Sequence, residues 1–268
     1  MTPCLLVQRT GHVATLTLNR PEARNAFSPE LAVRLDEACQ QLRDDREVRA
    51  IVLAAAGTDS FCAGGDLKLM IPLITGARKA ETDYDHAALA LMREKGRPLP
   101  THGDIGKPLI AAIEAPALGG GLELALACDM IVASENASFA APEVASGAYP
   151  ARITYLLPRR LPYSLASEML LSGSRLSATR AYHLGLVNEL VPAGTAIAAA
   201  QKLAERIARN APISVRSARA VAHLAMSDPA ADVDGLDRAM IRKVYTSQDA
   251  REGPRAFAEK RAPVFCDH

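Results

Sequence analysis

Two segments of this chain, 48–70 and 109–133, share one order of elements: a short apolar strand, a glycine-rich turn and a helix. The strand in each is a continuous apolar run with β-branched residues, which is typical of a strand that is buried on both faces. Helices that follow such strands must pack over the sheet. The two segments show no strict sequence repeat, but their shared order predicts an α/β fold built from repeated ββα-like turns.

The rest of the chain supplies strands first and helices last. Two apolar runs, 5–7 and 13–18, flank Thr10-Gly11 and predict a β-hairpin, and Ser28-Pro29-Glu30 has the cap, the proline and the acid that begin a helix. The further predicted helices are near 83–94, at 197–208, 214–225 and 233–246, and at 249–252, with Ser247 as its cap. Gly253-Pro254 is expected to break the last helix, which resumes over 255–261.

Two regions receive a broader interpretation. The segment 72–107 is rich in charge, glycine and proline, with turn signals at 96–98 and 101–103, and could form a lid or a pocket wall. The alanine-rich helices after Pro192 need a large partner surface, which predicts subunit association, although a helical layer over the chain's own sheet would also cover them. We therefore divide the chain into a core, 1–205, and a helical oligomerisation segment, 206–268.

The composition narrows the classes of partner. With 31 basic and 30 acidic residues the net charge is +1, so no overall field would attract nucleic acid or an anionic membrane. Arg216 and Arg219 lie on one predicted helix, where a solvated face is favoured over a nucleic-acid contact. The longest apolar region, 109–133, contains acids and a proline and fails as a membrane span. Scattered cysteines and the lack of an export signal predict reduced thiols in a cytoplasmic protein.

The stretch Ala117-Leu-Gly-Gly-Gly-Leu-Glu-Leu-Ala-Leu-Ala-Cys-Asp129 raises a chemical question, because it places Glu123 in an otherwise apolar run directly after three glycines. A helix beginning near Gly120 leaves its first amides unpaired at the positive end of its dipole, which suits a developing negative charge. Glycines would let a ligand approach those amides closely. The competing explanation is a close crossing of helix and strand, in which glycine serves packing and Glu123 is simply paired.

A second acid, Glu143, can lie close to Glu123. Glu143, in Ala140-Ala-Pro-Glu-Val144, follows a predicted strand and can face the same cavity as Glu123. Burial and mutual repulsion would raise the pKa of at least one of them, giving one protonated acid and one ionised base. Amides at Ala63 and Gly120 could together hold an oxyanion. Hydrolase-elbow, phosphate-loop and dinucleotide motifs are absent, and the histidines form no ligand pair.

With these motifs together, the sequence resembles the crotonase (enoyl-CoA hydratase/isomerase) superfamily over nearly its whole length. The stretches that carry the resemblance are Leu18-Asn-Arg-Pro-Glu-Ala-Arg-Asn-Ala26, Phe61-Cys-Ala-Gly-Gly-Asp66, Ala117-Leu-Gly-Gly-Gly-Leu-Glu123, Ala140-Ala-Pro-Glu143, Leu184-Gly-Leu-Val-Asn188 and Ala250-Arg-Glu-Gly-Pro-Arg-Ala-Phe-Ala-Glu-Lys-Arg261. Each is modestly specific alone, and together they are highly specific.

The resemblance implies a crotonase-like spiral of ββα turns with a C-terminal helical trimerisation segment, trimers that commonly stack into hexamers, and an acyl-CoA thioester ligand without a metal or redox cofactor. It places the hydratase acids on Glu123 and Glu143 and the thioester-holding amides on Ala63 and Gly120. The substrate-binding residues that it implies are Arg24, Ala63, Gly64, Gly65, Asp66, Gly120, Phe257 and Lys260. Retention of both acids favours hydration of a 2-enoyl-CoA, as in fatty acid metabolism, over another crotonase reaction such as double-bond isomerisation.

Three features depart from the family pattern. Gly147-Ala-Tyr-Pro-Ala-Arg-Ile153 replaces a glycine-rich turn after the second acid, so the acyl pocket can differ and could take a branched or polar group. Glu114 stands where a small or amide side chain is expected; a strand-end surface charge is favoured over a third pocket acid. The 72–107 segment matches poorly, which leaves chain-length preference open. A non-catalytic scaffold or RNA-binding module is the alternative of another class, and it would require an exposed basic stripe.

Overall fold

The computed structural model describes residues 2–95, 105–228 and 230–268. The strands are β1 (Leu5–Thr10), β2 (Val13–Leu18), β3 (Ala50–Ala55), β4 (Leu109–Ile113), β5 (Ala117–Leu118), β6 (Met130–Ser134), β7 (Ser138–Ala140), β8 (Leu176–Ser177) and β9 (Glu189–Val191). The helices are α1 (Pro29–Asp44), α2 (Met70–Ile74), α3 (Asp83–Lys95), α4 (Gly120–Ala127), α5 (Ile153–Leu156), α6 (Tyr163–Ser172), α7 (Ala178–His183), α8 (Ala196–Ala208), α9 (Pro212–Ser227), α10 (Val233–Tyr245) and α11 (Asp249–Ala258).

The main sheet has six strands in the order β1-β2-β3-β4-β6-β9, and a smaller sheet has the order β5-β7-β8. Strand β1 is antiparallel to β2, which confirms the predicted hairpin, and every other pair in the main sheet is parallel. The side chains of β3 and β4 are buried throughout, as their apolar runs predict. Because parallel strands end at one edge of a sheet, the loops that follow β3 and β4 come together there.

The amino-terminal helix forms for the local reasons that the sequence offers. The hydroxyl of Ser28 accepts a hydrogen bond from the amide of Leu31, and Pro29 occupies the first turn, where its missing N–H costs nothing. The helix predicted near 83–94 is α3, and it packs on α1 through Ala88 and Leu91. The turn signals at 96–98 and 101–103 lie outside the described residues, so the lid interpretation of 72–107 stays a prediction.

Helix α8 covers the chain's own sheet. Its alanines at 196, 200, 204 and 208 are buried against the main sheet, in one apolar cluster with residues of β2, β3, β4 and β6. The alternative of an intramolecular helical layer is therefore correct for this helix, and the boundary predicted at 205 falls inside it. Helix α10, in contrast, buries none of its side chains within the described part of the chain.

Glu114 lies at the end of β4 and serves this packing. Its carboxylate accepts hydrogen bonds from the amides of Gly194, at 2.9 Å, and Ala196, at 2.6 Å. These amides belong to the turn and the first residue of α8, where an acid satisfies unpaired N–H groups and the helix dipole. Glu114 is thus a strand-end residue that anchors α8, and the interpretation as a third pocket acid is set aside.

Two predictions about the C-terminal helices are wrong. Helix α11 runs through Pro254, where the sequence predicts a break. The preceding Gly253 lacks the Cβ that would meet the proline ring, and burial of Ala256 holds the next turn in place. Arg216 and Arg219 do not form a solvated face, because they pair with Asp267 at 2.6 Å and with Asp129 at 2.8 Å.

Candidate active site

Three segments meet at the carboxyl edge of the parallel strands: the loop 61–66 after β3, the start of α4, and a 3-10 turn over Pro142–Ser146. Backbone pairing fixes their positions. Cys62 forms a parallel bridge with Ala117, and β5 pairs with β7 in the register Leu118 to Ala140. These pairings bring together segments that lie about 80 residues apart in the chain, from Cys62 to Glu143.

The glycines at this junction serve two different purposes. Gly64 has φ +95°, and a Cβ there would lie 3.2 Å from the amide nitrogen of Gly120, so the two loops touch through their backbones. A Cβ on Gly121 would lie only 2.2 Å from the carbonyl oxygen of Cys62. The close-crossing explanation is therefore correct for Gly121, whereas Gly120 makes only ordinary contacts and leaves its amide at the helix start.

The predicted oxyanion donor Ala63 is already engaged. Its N–H donates to the carbonyl oxygen of Arg24 at 3.1 Å, within a backbone contact that joins the two loops. An amide held in this way has no hydrogen left for a substrate oxygen. The structure therefore does not support Ala63 as the donor from this loop.

The next amide but one, that of Gly65, is placed differently. Phe27 donates to the carbonyl of Gly64 and accepts from the amide of Asp66, which makes Gly65 the centre of a parallel bridge. In such a bridge the central residue directs its own N–H away from the partner strand. Neither Gly65 nor Gly120 donates its N–H to an acceptor among the described residues. Gly64 lies against Gly120, which brings the two loops together. The amides of Gly65 and Gly120 are therefore the pair available to hold a substrate oxygen.

Asp66 and Arg24 were both predicted to bind substrate, but the structure places them in different environments. Asp66 is buried; it pairs with Arg20 at 2.9 Å and accepts from the amides of Lys68 and Leu69. Burial alone would raise the pKa of Asp66, but these hydrogen bonds lower it. Asp66 therefore holds the loop in shape. Arg24 is exposed beside the same loop, a position that suits contact with a phosphate.

Glu123 lies one turn into α4 and is 7% exposed. Its Oε1 accepts a hydrogen bond from Nη1 of Arg152 at 3.2 Å, and both side chains are about equally buried. The guanidinium comes from the turn before α5, in the stretch 147–153 that departs from the family pattern. A buried carboxylate beside a guanidinium is stabilised in its charged form.

Glu143 has the opposite environment. Its Oε1 lies 2.9 Å from the position of a Cβ on Gly119, and Gly119 immediately precedes the first residue of α4. The Oε2 atom is buried and has no hydrogen-bond partner in the described structure. Desolvation by burial raises the pKa of Glu143. Both acids thus lie near the start of α4, Glu123 beside a cation and Glu143 with a raised pKa.

This environment predicts a pH dependence of stability. The pKa of folded Glu143 is raised above the value of about 4.3 for an unfolded glutamate, so its contribution is present below pH 4 and is lost as pH rises through the folded pKa. The free energy of unfolding of Glu143→Gln, relative to wild type, should therefore increase from pH 4 to pH 7. Urea titrations across this range measure it. The exposed Glu135→Gln is the control. If the free energy of unfolding relative to wild type were independent of pH for both variants, the prediction would be contradicted.

Phe257 and Lys260 are not brought to this site within one chain. Phe257 is 87% exposed and lines a groove of about 960 Å³ with Thr10, Val13 and Arg49. That groove lies at the amino ends of β2 and β3, whereas the active-site loops follow the carboxyl ends of the parallel strands. The predicted enclosure of a nucleotide by these two residues would therefore require them to come from another copy of the chain.

Comparison with known proteins gives the family. A family model described as enoyl-CoA hydratase/isomerase matches residues 8–268. The chain belongs to this family. An enoyl-CoA hydratase of Mycobacterium tuberculosis is 38% identical over 264 residues, covering 98% of this chain and 96% of that protein. The (E)-benzylidenesuccinyl-CoA hydratase of Thauera aromatica is 38% identical over 257 residues and covers 96% of both.

The fold agrees with the family. A crystal structure of enoyl-CoA hydratase from Mycobacterium tuberculosis H37Rv superimposes with a TM-score of 0.86 at 36% identity, covering 99% of this chain and 100% of that one. The predicted crotonase-like α/β fold is confirmed, and the protein is a hydratase-type enzyme of the crotonase family. No helix in the described ranges has the length and apolar character to cross a membrane. Those ranges also contain no cluster of three or more metal-ligating side chains.

Two features of the candidate site could not be found from the sequence. Arg152 could have been noticed as a charged residue in a loop already marked as unusual, but its pairing with Glu123 depends on where α4 and the turn before α5 meet. The choice of Gly65 over Ala63 depends on the bridge to Phe27, for which the sequence carries no local signal. Both are consequences of contacts between distant segments.

Proposed function

We propose that this enzyme adds water reversibly across the C2–C3 double bond of a 2-enoyl-CoA thioester to give a 3-hydroxyacyl-CoA. The observation that carries the proposal is the pair of acids at the start of α4, with Glu123 beside a guanidinium and Glu143 inclined to stay protonated. Hydration needs one group that takes a proton from water and another that gives a proton to carbon. Similarity to hydratases over nearly the whole chain supports the same reaction.

In the proposed mechanism the amides of Gly65 and Gly120 hold the thioester oxygen. Their dipoles stabilise the negative charge that develops on this oxygen as the substrate becomes an enolate, and one such donor contributes on the order of 10²–10³ in rate. Both amides are fixed by the backbone, so no reorganisation is needed during the reaction. The positive end of α4 adds to this stabilisation.

The acids then divide the proton transfers. The carboxylate of Glu123 takes a proton from water as the water oxygen bonds to C3, and the electrons of the double bond move toward the thioester oxygen. Protonated Glu143 gives its proton to C2 as the enolate collapses. Proton exchange with water returns both acids to their starting states, and the reverse sequence dehydrates a 3-hydroxyacyl-CoA.

The test is to incubate the purified protein with a panel of short, long, branched and carboxylated 2-enoyl-CoAs and to measure product masses. We expect a gain of one water molecule and loss of enoyl-thioester absorbance. The carboxylated members are included because one relative is named as a benzylidenesuccinyl-CoA hydratase. An unchanged mass with a moved double bond would select isomerisation, and salt-dependent RNA binding without turnover would select the non-catalytic alternative.

Subunit association completes this proposal. The apolar side chains of helix α10 are exposed or only half-buried in the described chain, and the groove that holds Phe257 is open. A homotrimer, or a hexamer of two trimers, would cover such surfaces and could bring Phe257 and Lys260 of one copy to the CoA of another. Sedimentation of the purified protein measures the assembly. The pathway, with fatty acid metabolism as the prediction, and the cytoplasmic location belong to the same proposal.

A further inference from the structure

The ion pair between Arg152 and Glu123 lies at the site rather than on the surface. The side chains are 11% and 10% exposed, and the contact between Nη1 and Oε1 is 3.2 Å. A buried pair of this kind requires desolvation of both charges, so it is weak evidence for a gain in stability. Its position at the start of α4, next to a candidate catalytic base, suggests a chemical reason for it.

Arg152 is itself held in place from its other side. Its Nε donates to the hydroxyl oxygen of Tyr155 at 3.2 Å, and the guanidinium carbon of Arg159 lies 5.3 Å from the centre of the Tyr155 ring. A guanidinium that is fixed at two nitrogens has a defined orientation. The carboxylate that it binds is therefore oriented as well.

We propose that Arg152 is a positioning residue that keeps the Glu123 carboxylate ionised and oriented to take a proton from water. This inference rests on the proposed hydration, in which Glu123 is the base. Arg152 touches the base and is not required to touch the substrate. It also explains why this chain has an arginine-containing turn, Pro150-Ala-Arg-Ile153, where the family commonly has glycines.

Two other titratable groups in the described ranges lie near this end of α4, and neither carries a positive charge. Glu143, on the 3-10 turn, is a second acid whose raised pKa keeps it neutral to higher pH. Cys62, from the loop that packs on Gly121, is fully buried, and burial raises its pKa to about 12, so it is a neutral thiol at working pH. Of these three groups near the start of α4, Arg152 supplies the positive charge.

The sign of the expected effect follows from this charge. Removal of a positive group at 3.2 Å favours the protonated form of Glu123, so the base becomes available only at higher pH. In Arg152→Met the acid limb of the kcat/KM profile should move upward by about one pH unit or more, since an opposite charge at this range shifts a carboxyl by about one to three units. At a pH below the wild-type limb, each pH unit by which the limb moves upward lowers kcat/KM tenfold. A purely structural role would lower the plateau and leave the limb in place.

Two further variants sharpen the comparison. Arg152→Lys retains a cation, so its limb should stay closer to that of wild type than the limb of Arg152→Met. Arg219→Met removes a similarly buried pair, that with Asp129, at the opposite end of α4, and should lower stability without moving the limb. If Arg152→Met does not fold, Arg152→Gln gives the same contrast with Arg152→Lys. An unmoved limb in the uncharged variants would overturn the proposal.

A measurement without turnover separates this inference from the proposed function. In protein labelled with ¹³C at glutamate side-chain carboxyls, the Glu123 resonance is the one that disappears in Glu123→Gln. Its midpoint of protonation should lie at higher pH in Arg152→Met than in wild type. Such a shift without hydration would retain the pairing and reject the reaction, whereas hydration without a shift would reject the inference. Loss of carboxylated substrates alone, with an unmoved limb, would instead assign Arg152 to substrate binding and also overturn it.

Discussion

Replacing Glu123 or Glu143 by glutamine is expected to lower the hydration rate by about 10²–10⁴, which is the usual contribution of general acid-base catalysis. Glutamine keeps the shape of either side chain but neither accepts the proton of water nor delivers one to C2. Glu123 lies in the first turn of α4 and Glu143 on the 3-10 turn near it, and their environments differ, so each substitution should remove one of the two proton transfers. Initial rates of loss of enoyl-thioester absorbance, measured with a substrate selected from the panel, provide the test.

Two controls distinguish a loss of catalysis from a loss of folding or of substrate binding. Glu135→Gln changes an exposed acid away from the site and should retain the wild-type rate. Binding of a saturated acyl-CoA, which cannot react, should persist in both active-site variants if the loss is chemical. A near-native rate in Glu123→Gln or in Glu143→Gln would reject the role assigned to that residue.

The second large effect is expected from Gly121→Ala. The new Cβ would lie 2.2 Å from the carbonyl oxygen of Cys62, and both groups belong to backbone that cannot move independently. Overpacking of a core typically costs 1–3 kcal/mol, and a clash with backbone belongs at or beyond the upper end, so we expect a loss of at least about 3 kcal/mol in the free energy of unfolding. Urea unfolding followed by circular dichroism measures this loss.

The neighbouring glycine offers a matched comparison. A Cβ on Gly120 would approach no closer than 3.5 Å to another heavy atom, so Gly120→Ala should leave stability near wild type or raise it slightly through its higher helix propensity. Equal stability of the two variants would show that the crossing with Cys62 does not depend on Gly121. This pair of substitutions separates the packing role of the glycines from their role at the helix start.

Local patterns in the sequence were sufficient for much of the architecture. The hairpin, the buried strands β3 and β4 and the helix after Gly119 follow from apolar periodicity, turn residues and caps, which act over a few neighbouring residues. The recognition of the family depended on motifs that are themselves short and contiguous. The break expected at Pro254 shows the limit of such reasoning, because burial of Ala256 outweighed the local preference.

The sequence by itself therefore determined the α/β class and the family, and it predicted the two acids at 123 and 143. Tertiary structure alone decided that Ala63 donates its amide to Arg24, that the amides of Gly65 and Gly120 have no acceptor among the described residues, and that Arg152 faces Glu123. It also placed Phe257 at the far end of the sheet from the acids. The physical reason is that hydrogen-bond donors and charges find their partners through the pairing of distant segments, and such pairing leaves no periodic trace along the chain.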